Sequence, residues 1–225
     1  MKWFGFLVLA ACSGGDSDSD DSGSSAIETI GWDIDVLDAL EQPVSGATVC
    51  TDAGCETSSA SGAIHLELPI GESSLTIEGD GLVSTLMGLT IVDTPPSPDR
   101  LIALTEAFAD LLFSDVGTVD WSKSHIVGQV IGAEGSVPSM DPAGGEGPFY
   151  IDENQLGIDG DLTGVGPGRG YAILNIDATG DVEISHTGLG SNCANSEWSQ
   201  AGSSSERTKV ELRAGFTSTT EVVCP

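Results

Sequence analysis

The sequence predicts an all-β protein, built as two tandem antiparallel β-sandwiches joined by a short helix-containing linker and preceded by a disordered tether. Three observations carry this expectation. Short apolar runs recur roughly every 8–12 residues between clusters of Gly, Pro, Asp and Ser, the punctuation of antiparallel sheets. Strict apolar/polar alternation, the mark of a half-buried strand, is explicit in Trp32-Asp33-Ile34-Asp35-Val36 and in Ile64-His65-Leu66-Glu67-Leu68. The chain has 225 residues. After a leader and a polar stretch, about 200 remain, enough for two domains of about 100 residues that each bury roughly two thirds of their unfolded-chain surface. The expected organisation is a signal peptide at 1–11, an anchor and tether at 12–25, a first sandwich at 26–98, a linker at 99–120 and a second sandwich at 121–225.

Charge excludes whole classes of partner. The formal net charge is −28. Between Ala26 and Asp120 there are 17 acidic residues against one base, Arg100, and from Trp121 onward 14 acids against five bases. No basic face exists to meet phosphates, so nucleic acid is not a partner. An anionic bilayer surface repels the same chain, and the charge favours a soluble monomer.

Residues Met1 to Ala11 carry one base, Lys2, followed by an apolar run that is too short to span a bilayer and suits a secretory signal. Leu9-Ala10-Ala11-Cys12 resembles the bacterial lipobox in all four positions. The resemblance implies cleavage before Cys12 and lipidation of that cysteine, and several acyl chains together make a stable anchor. Ser13 follows, which by analogy with enterobacterial lipoproteins points to the outer membrane. Ser13 to Ser25 holds only Ser, Gly and Asp and has nothing apolar to bury, so a solvated tether spanning on the order of 20 Å is expected.

The first sandwich begins with the alternation at Trp32. A turn over Asp38–Pro43 leads to a strand from Val44 to Cys50, a four-residue hairpin loop Thr51-Asp52-Ala53-Gly54, and a return through Cys55. Facing residues on paired strands lie within disulfide reach, and a secretory route implies an oxidising compartment, so a Cys50–Cys55 bridge is expected. Four intervening residues with no second cysteine pair nearby argue against a thiolate metal site. Further strands are read at Ile64–Leu68, at Leu75–Glu78 and within Leu82–Val92.

Pro43-Val44-Ser45-Gly46-Ala47-Thr48-Val49, Thr57, Gly62 and Leu68-Pro69-Ile70-Gly71 followed by Leu75-Thr76-Ile77 resemble the carboxypeptidase regulatory-like family. That resemblance covers about 60 residues. It implies a transthyretin-like sandwich acting as a spacer or binding module, without catalytic residues of its own.

Thr94-Pro95-Pro96-Ser97-Pro98 ends the sheet. Thr105 is placed to N-cap a helix from Glu106 to about Ser114, with Phe108, Leu111 and Leu112 as its apolar face. In the second half, strands are read at Ile126–Ile131, Phe149–Ile151, Ile158–Leu162, Tyr171–Ile176, Val182–Ser185, Lys209–Leu212 and Thr217–Val223, with a long Gly/Pro-rich loop at Gly132–Pro148. The rhythm of Tyr171–Ile184 loosely repeats that of Ala63–Ile77. Cys193 and Cys224 remain, and a bridge between them ties the loop before Trp198 to the final strand.

Chemistry-bearing patterns are few. Asn175-Ile176-Asp177-Ala178-Thr179-Gly180 matches part of a calcium loop, but His186 stands where a bidentate Glu belongs and strands flank it, so a hairpin turn is favoured. Gly164-Val165-Gly166-Pro167-Gly168-Arg169-Gly170 lacks the Lys-Ser/Thr ending of a phosphate loop. His65, His125 and His186 show no metal-ligand spacing, and with Tyr150 and Tyr171 they do not match the iron set of intradiol dioxygenases, which use a related sandwich. No catalytic residue, metal ligand or cofactor is assigned. The expected function is a non-enzymatic structural or binding module of the cell envelope, recognising protein or glycan through Gly132–Pro148 or the surroundings of Trp198. A calcium-dependent adhesion or glycan-binding module is the first rival, an envelope hydrolase or oxygenase the second.

Overall fold

The computed structural model describes residues 28–97, 99–190, 192–196, 198, 199, 203 and 207–224. The expected leader, Cys12 and the Ser/Gly/Asp tether lie outside them. Among the described residues the protein is almost wholly β-structure, with one helix. None of their helices is long and apolar enough to cross a membrane.

Alternation at Trp32 becomes β1 (Thr29–Asp38), with Trp32, Ile34 and Val36 buried and Asp33 and Asp35 exposed. Strands β2 (Thr48–Thr51) and β3 (Gly54–Thr57) form the cysteine hairpin. Cys50 faces Cys55 and the disulfide is formed. Its turn is tighter than expected: Thr51 pairs with Gly54, so only Asp52 and Ala53 lie outside the ladder. β4 (Ala63–Pro69) buries Ile64, Leu66 and Leu68, and β5 (Gly71–Glu78) and β6 (Thr85–Ile91) complete the anticipated set.

Next comes β7 (Arg100–Ala103), which pairs parallel with β1. The sequence places these residues in the linker, since four residues after a proline-rich break are too few to display a period. Helix α1 (Glu106–Leu112) starts where Thr105 Oγ1 accepts the Phe108 amide at 3.3 Å. Its buried face is Ala109 and Leu112 with Phe108 half-buried, whereas Leu111, expected inward, is 54% exposed. Positions 105, 108, 109 and 112 share one side of a 3.6-residue helix and 111 does not.

The second half contains β8 (Ser124–Ile131), β9 (Val137–Asp141), β10 (Glu146–Tyr150), β11 (Gly170–Ile176), β12 (Gly180–Thr187), β13 (Ala194–Asn195), β14 (Arg207–Leu212) and β15 (Thr217–Val223). Two expectations fail here. Gly132–Pro148 is not a long loop, because β9 and the start of β10 occupy it. Both are edge strands, where a proline's missing donor is tolerated. Ile158–Leu162 is not a strand: a single bridge joins Ile151 to Ile158, and Asp159 Oδ1 then accepts the Asp161 amide in a side-chain-closed turn.

The strands form three sheets: β4-β1-β7, β14-β12-β9, and one of nine strands that runs β10-β11-β8-β15-β6-β5-β2-β3 with β13 beside β15. The two regions read as tandem sandwiches are thus joined through hydrogen bonds. β15, the last strand, lies parallel between β6 of the first region and β8 of the second. Together with β1–β7 these are parallel pairs in a fold expected to be antiparallel throughout.

Register shows how the cores are disposed. Thr219 of β15 pairs with Met87 and with Val127, so these three share one face of the large sheet. Met87, Leu89 and Ile91 enter the first core, with Trp32, Ile34, Leu66 and Leu101 of the β4-β1-β7 sheet. Ile126, Val130 and Val222 lie on the other face, packed with Val182 and Ile184 of β12 and Val210 of β14. The small sheets therefore cover opposite faces of the large one, at opposite ends. On the first face α1 covers part of the far end, packing Ala109, Leu112 and Phe113 with Ala172 and Leu174 of β11.

Candidate functional site: a cleft where the two halves meet

Staggered covering leaves a strip of the first face uncapped. β15 and its neighbours lie there between the edge of the β4-β1-β7 sheet and the cluster formed by α1 and Ile151, and the gap is a cleft of about 690 Å³. That size is within the roughly 300–1,000 Å³ of ordinary ligand sites. Its floor presents Thr85 and Met87 from β6, Thr217, Thr219 and Glu221 from β15, and Val127 and Gln129 from β8. One side is β7, which contributes Arg100 and Ile102, and the other is Phe108 with the turn Asn154-Gln155-Leu156. Ile102 is 43% and Leu156 49% exposed, so apolar surface stays in contact with solvent.

Trp198 also lines the cleft, and the reason is visible in the pairing. β6 meets β15 only over Thr85–Met87, after which β13 takes its place against Val222 and Val223. Residues following β13 fill the gap where the strands part: Thr90 Oγ1 donates to the Ser199 carbonyl at 3.3 Å, and the Trp198 ring lies 5.9 Å from that of Trp32. The Cys193–Cys224 disulfide, which is formed, fixes the start of this segment to the end of β15.

The rim is acidic. Asp38 Oδ1 accepts the amides of Leu40 and Gln42, each at 2.8 Å, which orders the turn after β1. Glu41 and Arg100 form an ion pair at 3.2 Å. With Glu221, the lining carries three carboxylates and one guanidinium. Beneath the floor, the Tyr171 ring crosses Gly128, where a Cβ would sit 2.2 Å from Cζ, and its hydroxyl bonds Thr220 Oγ1 at 2.9 Å. Burial pushes the Tyr171 hydroxyl well above the usual phenol range, so it is a neutral structural group.

The histidines stay apart. His65 is exposed on β4, held by Asp33 at 2.7 Å and Glu67 at 3.4 Å, which raise its pKa in that order. His125 is buried beside Trp121. Its Nδ1 accepts the Asn175 amide and its Nε2 faces the Asp120 carbonyl, while burial lowers its pKa. His186 faces the second core against Tyr171, and burial holds it at about 4.

The calcium-like segment, expected as a hairpin turn, instead carries the chain from β11 in the large sheet to β12 in the β14-β12-β9 sheet, and these two strands do not pair. Asp177 and Asp181 point to separate lysines, Lys123 at 3.0 Å and Lys209 at 2.7 Å. Among the described residues no group of three or more His, Cys, Asp or Glu is placed to hold a metal. Asn175, at φ +54°, serves instead as a clamp: Nδ2 donates to the Thr118 carbonyl and Glu146, and Oδ1 accepts the Asp120 amide. Residues 164–169 form a loop packed on the chain beside them, where a Cβ at Gly168 would clash with the Asp152 carbonyl, and Gly170 opens β11. Of the two stretches expected to offer a binding surface, Trp198 lines this cleft and Gly132–Pro148 does not, while β7 and Leu156 reach it only through long-range packing.

No family model matches the sequence, and no curated protein does. Solved structures similar to it include the Bacillus anthracis TIE protein (11% identity, TM-score 0.29, 87% of this chain and 34% of that one). The shaft pilin spaA from Lactobacillus rhamnosus GG follows at 10% identity and TM-score 0.25, covering 88% and 99%. A streptococcal ancillary pilin gives 9% and 0.28, covering 88% and 63%. The chain spans about a third of the TIE protein and less than two thirds of the ancillary pilin. At these identities and scores no residue's role is carried across.

Proposed function

We propose that the protein is a non-enzymatic binding or structural module of the cell envelope, lipid-anchored through Cys12 and offering the cleft over β15 to a protein or glycan partner. The cleft itself carries this reading. Its lining joins exposed apolar side chains to hydroxyl and amide groups suited to hydrogen bonding, and among the described residues it contains no histidine, cysteine or lysine. Of its charged groups, Arg100 pairs with Glu41 and Asp38 caps the turn after β1, while Glu221 also lines the cleft. The resemblance of Pro43–Ile77 to the carboxypeptidase regulatory-like family supports the role of the first region as a spacer, the lipobox-like Leu9–Cys12 supports a lipid anchor, and Ser13 after it supports the outer membrane. A photo-crosslinking residue at Leu156, compared with one at Val92, tests the reading in intact envelopes. Val92 is 75% exposed and does not line the cleft. Selective capture from Leu156 supports the cleft; equal capture from both positions, or none, contradicts it.

A further inference from the structure

The edge of the β4-β1-β7 sheet borders the cleft, and its hydrogen-bonding groups can be assigned. Asp35 N donates to the Asp99 carbonyl, and Asp35 and Leu37 pair with Arg100 and Ile102 in a parallel ladder. In that ladder Asp99, Leu101 and Ala103 turn their main-chain groups toward β1, so Arg100 and Ile102 turn theirs away. Among the described residues nothing pairs with β7 on its outer side. Two N–H donors and two carbonyl acceptors therefore form a short, open strand edge beside the cleft. Below it, Thr217 is 2% exposed and its hydroxyl has no hydrogen-bond partner among the described residues.

Open strand edges receive extended segments that continue the ladder, with alternate side chains directed into the space beneath. We propose that the cleft takes an extended, cationic peptide segment of a partner protein, added as a fourth strand beside β7. This rests on the reading of the cleft as a binding site and names what fills it. Charge selects the occupant. The lining carries Asp38, Glu41 and Glu221 against Arg100 alone, and the whole chain is at −28. The same charge disfavours this chain's own Ser13–Ser25 segment, which has four Asp and no base, and a second copy of the protein. Lysines alternating with apolar residues satisfy both requirements, apolar side chains against Met87, Val127 and Leu156 and ammonium groups at the rim.

The probe is a fluorescein-labelled eight-residue peptide alternating Val and Lys, titrated against the full chain by anisotropy. Its counterparts carry Glu for Lys, or are N-methylated at alternate residues in each of the two registers. Saturable binding of the Lys peptide is expected, with the Glu peptide at least about tenfold weaker and one N-methylated register, not both, losing about tenfold, the effect of a lost main-chain hydrogen bond. Ile102→Pro removes an outward donor without touching the β1 ladder and is expected to weaken the Lys peptide about tenfold. Equal binding of Lys and Glu peptides, indifference to N-methylation in both registers, or no saturable binding overturns the inference. If capture from Leu156 then still succeeds, the cleft remains a binding site and only the cationic strand is lost; if both fail, the functional reading goes with it.

Discussion

His186 makes the second core sensitive to acid. The imidazole is packed against the edge of Tyr171 at 5.4 Å between ring centroids, and neither Nδ1 nor Nε2 has a hydrogen-bond partner among the described residues. Burial lowers its pKa to about 4. In the unfolded chain the value is about 6.5, so the fold binds fewer protons and stability falls as pH drops from about 6.5 to about 4. At about 1.4 kcal/mol per unit, the whole loss is about 3 kcal/mol. His125 moves the same way, so the wild-type profile is composite. His186→Phe isolates the one group, since the ring has no hydrogen bond to lose. Urea unfolding followed by tryptophan fluorescence is expected to give a wild type that loses about 3 kcal/mol more than His186→Phe between about pH 7 and pH 4. Parallel pH profiles for the two proteins would show that the ring is solvated or paired, and would refute the reasoning.

The disulfides differ in weight. Removing Cys193–Cys224, whose cysteines are 31 residues apart, is expected to cost roughly 3–4 kcal/mol, and removing Cys50–Cys55, five apart, about 2 kcal/mol in the chain-entropy model. Denaturation midpoints of the paired Cys→Ser variants check the order, and the reverse order contradicts it. Gly128→Ala is expected to destabilise by about 1–3 kcal/mol, because its Cβ meets the fully buried Tyr171 ring. Shortening that ring with Tyr171→Leu should recover part of the loss, whereas purely additive costs speak against the clash. Mass spectrometry of the native N-terminus is expected to find Cys12 as the first residue, carrying diacylglycerol and an N-acyl chain; an unacylated Cys12 removes the envelope anchor.

Strands whose pattern is local were legible from the residues alone. Trp32–Val36 and Ile64–Leu68 alternate, Cys50 and Cys55 flank a turn, and Thr105 precedes a helix it caps. What escaped was set by partners distant in sequence. β7 has four residues and owes its extended form to β1. β15 reads as a strand, but nothing in Thr217–Val223 says that it will lie parallel between β6 and β8. The cleft follows from that placement and from the parity of side chains across it, which puts the two covering sheets on opposite faces. The surroundings of Trp198 stand out in the sequence as one of two longer loops of the second half, of which the other, Gly132–Pro148, does not line the cleft. Leu156 and Ile102 carry no local signal, because a solvent-facing apolar residue acquires meaning only when others gather beside it.

The claim that the cleft over β15 is the working surface is tested most directly by photo-crosslinking in intact envelopes, with Leu156 and Ile102 compared against Val92. One partner captured from both cleft positions, and not from Val92, is the result expected. Labelling that is the same at all three positions, or a partner captured only at Val92, contradicts it.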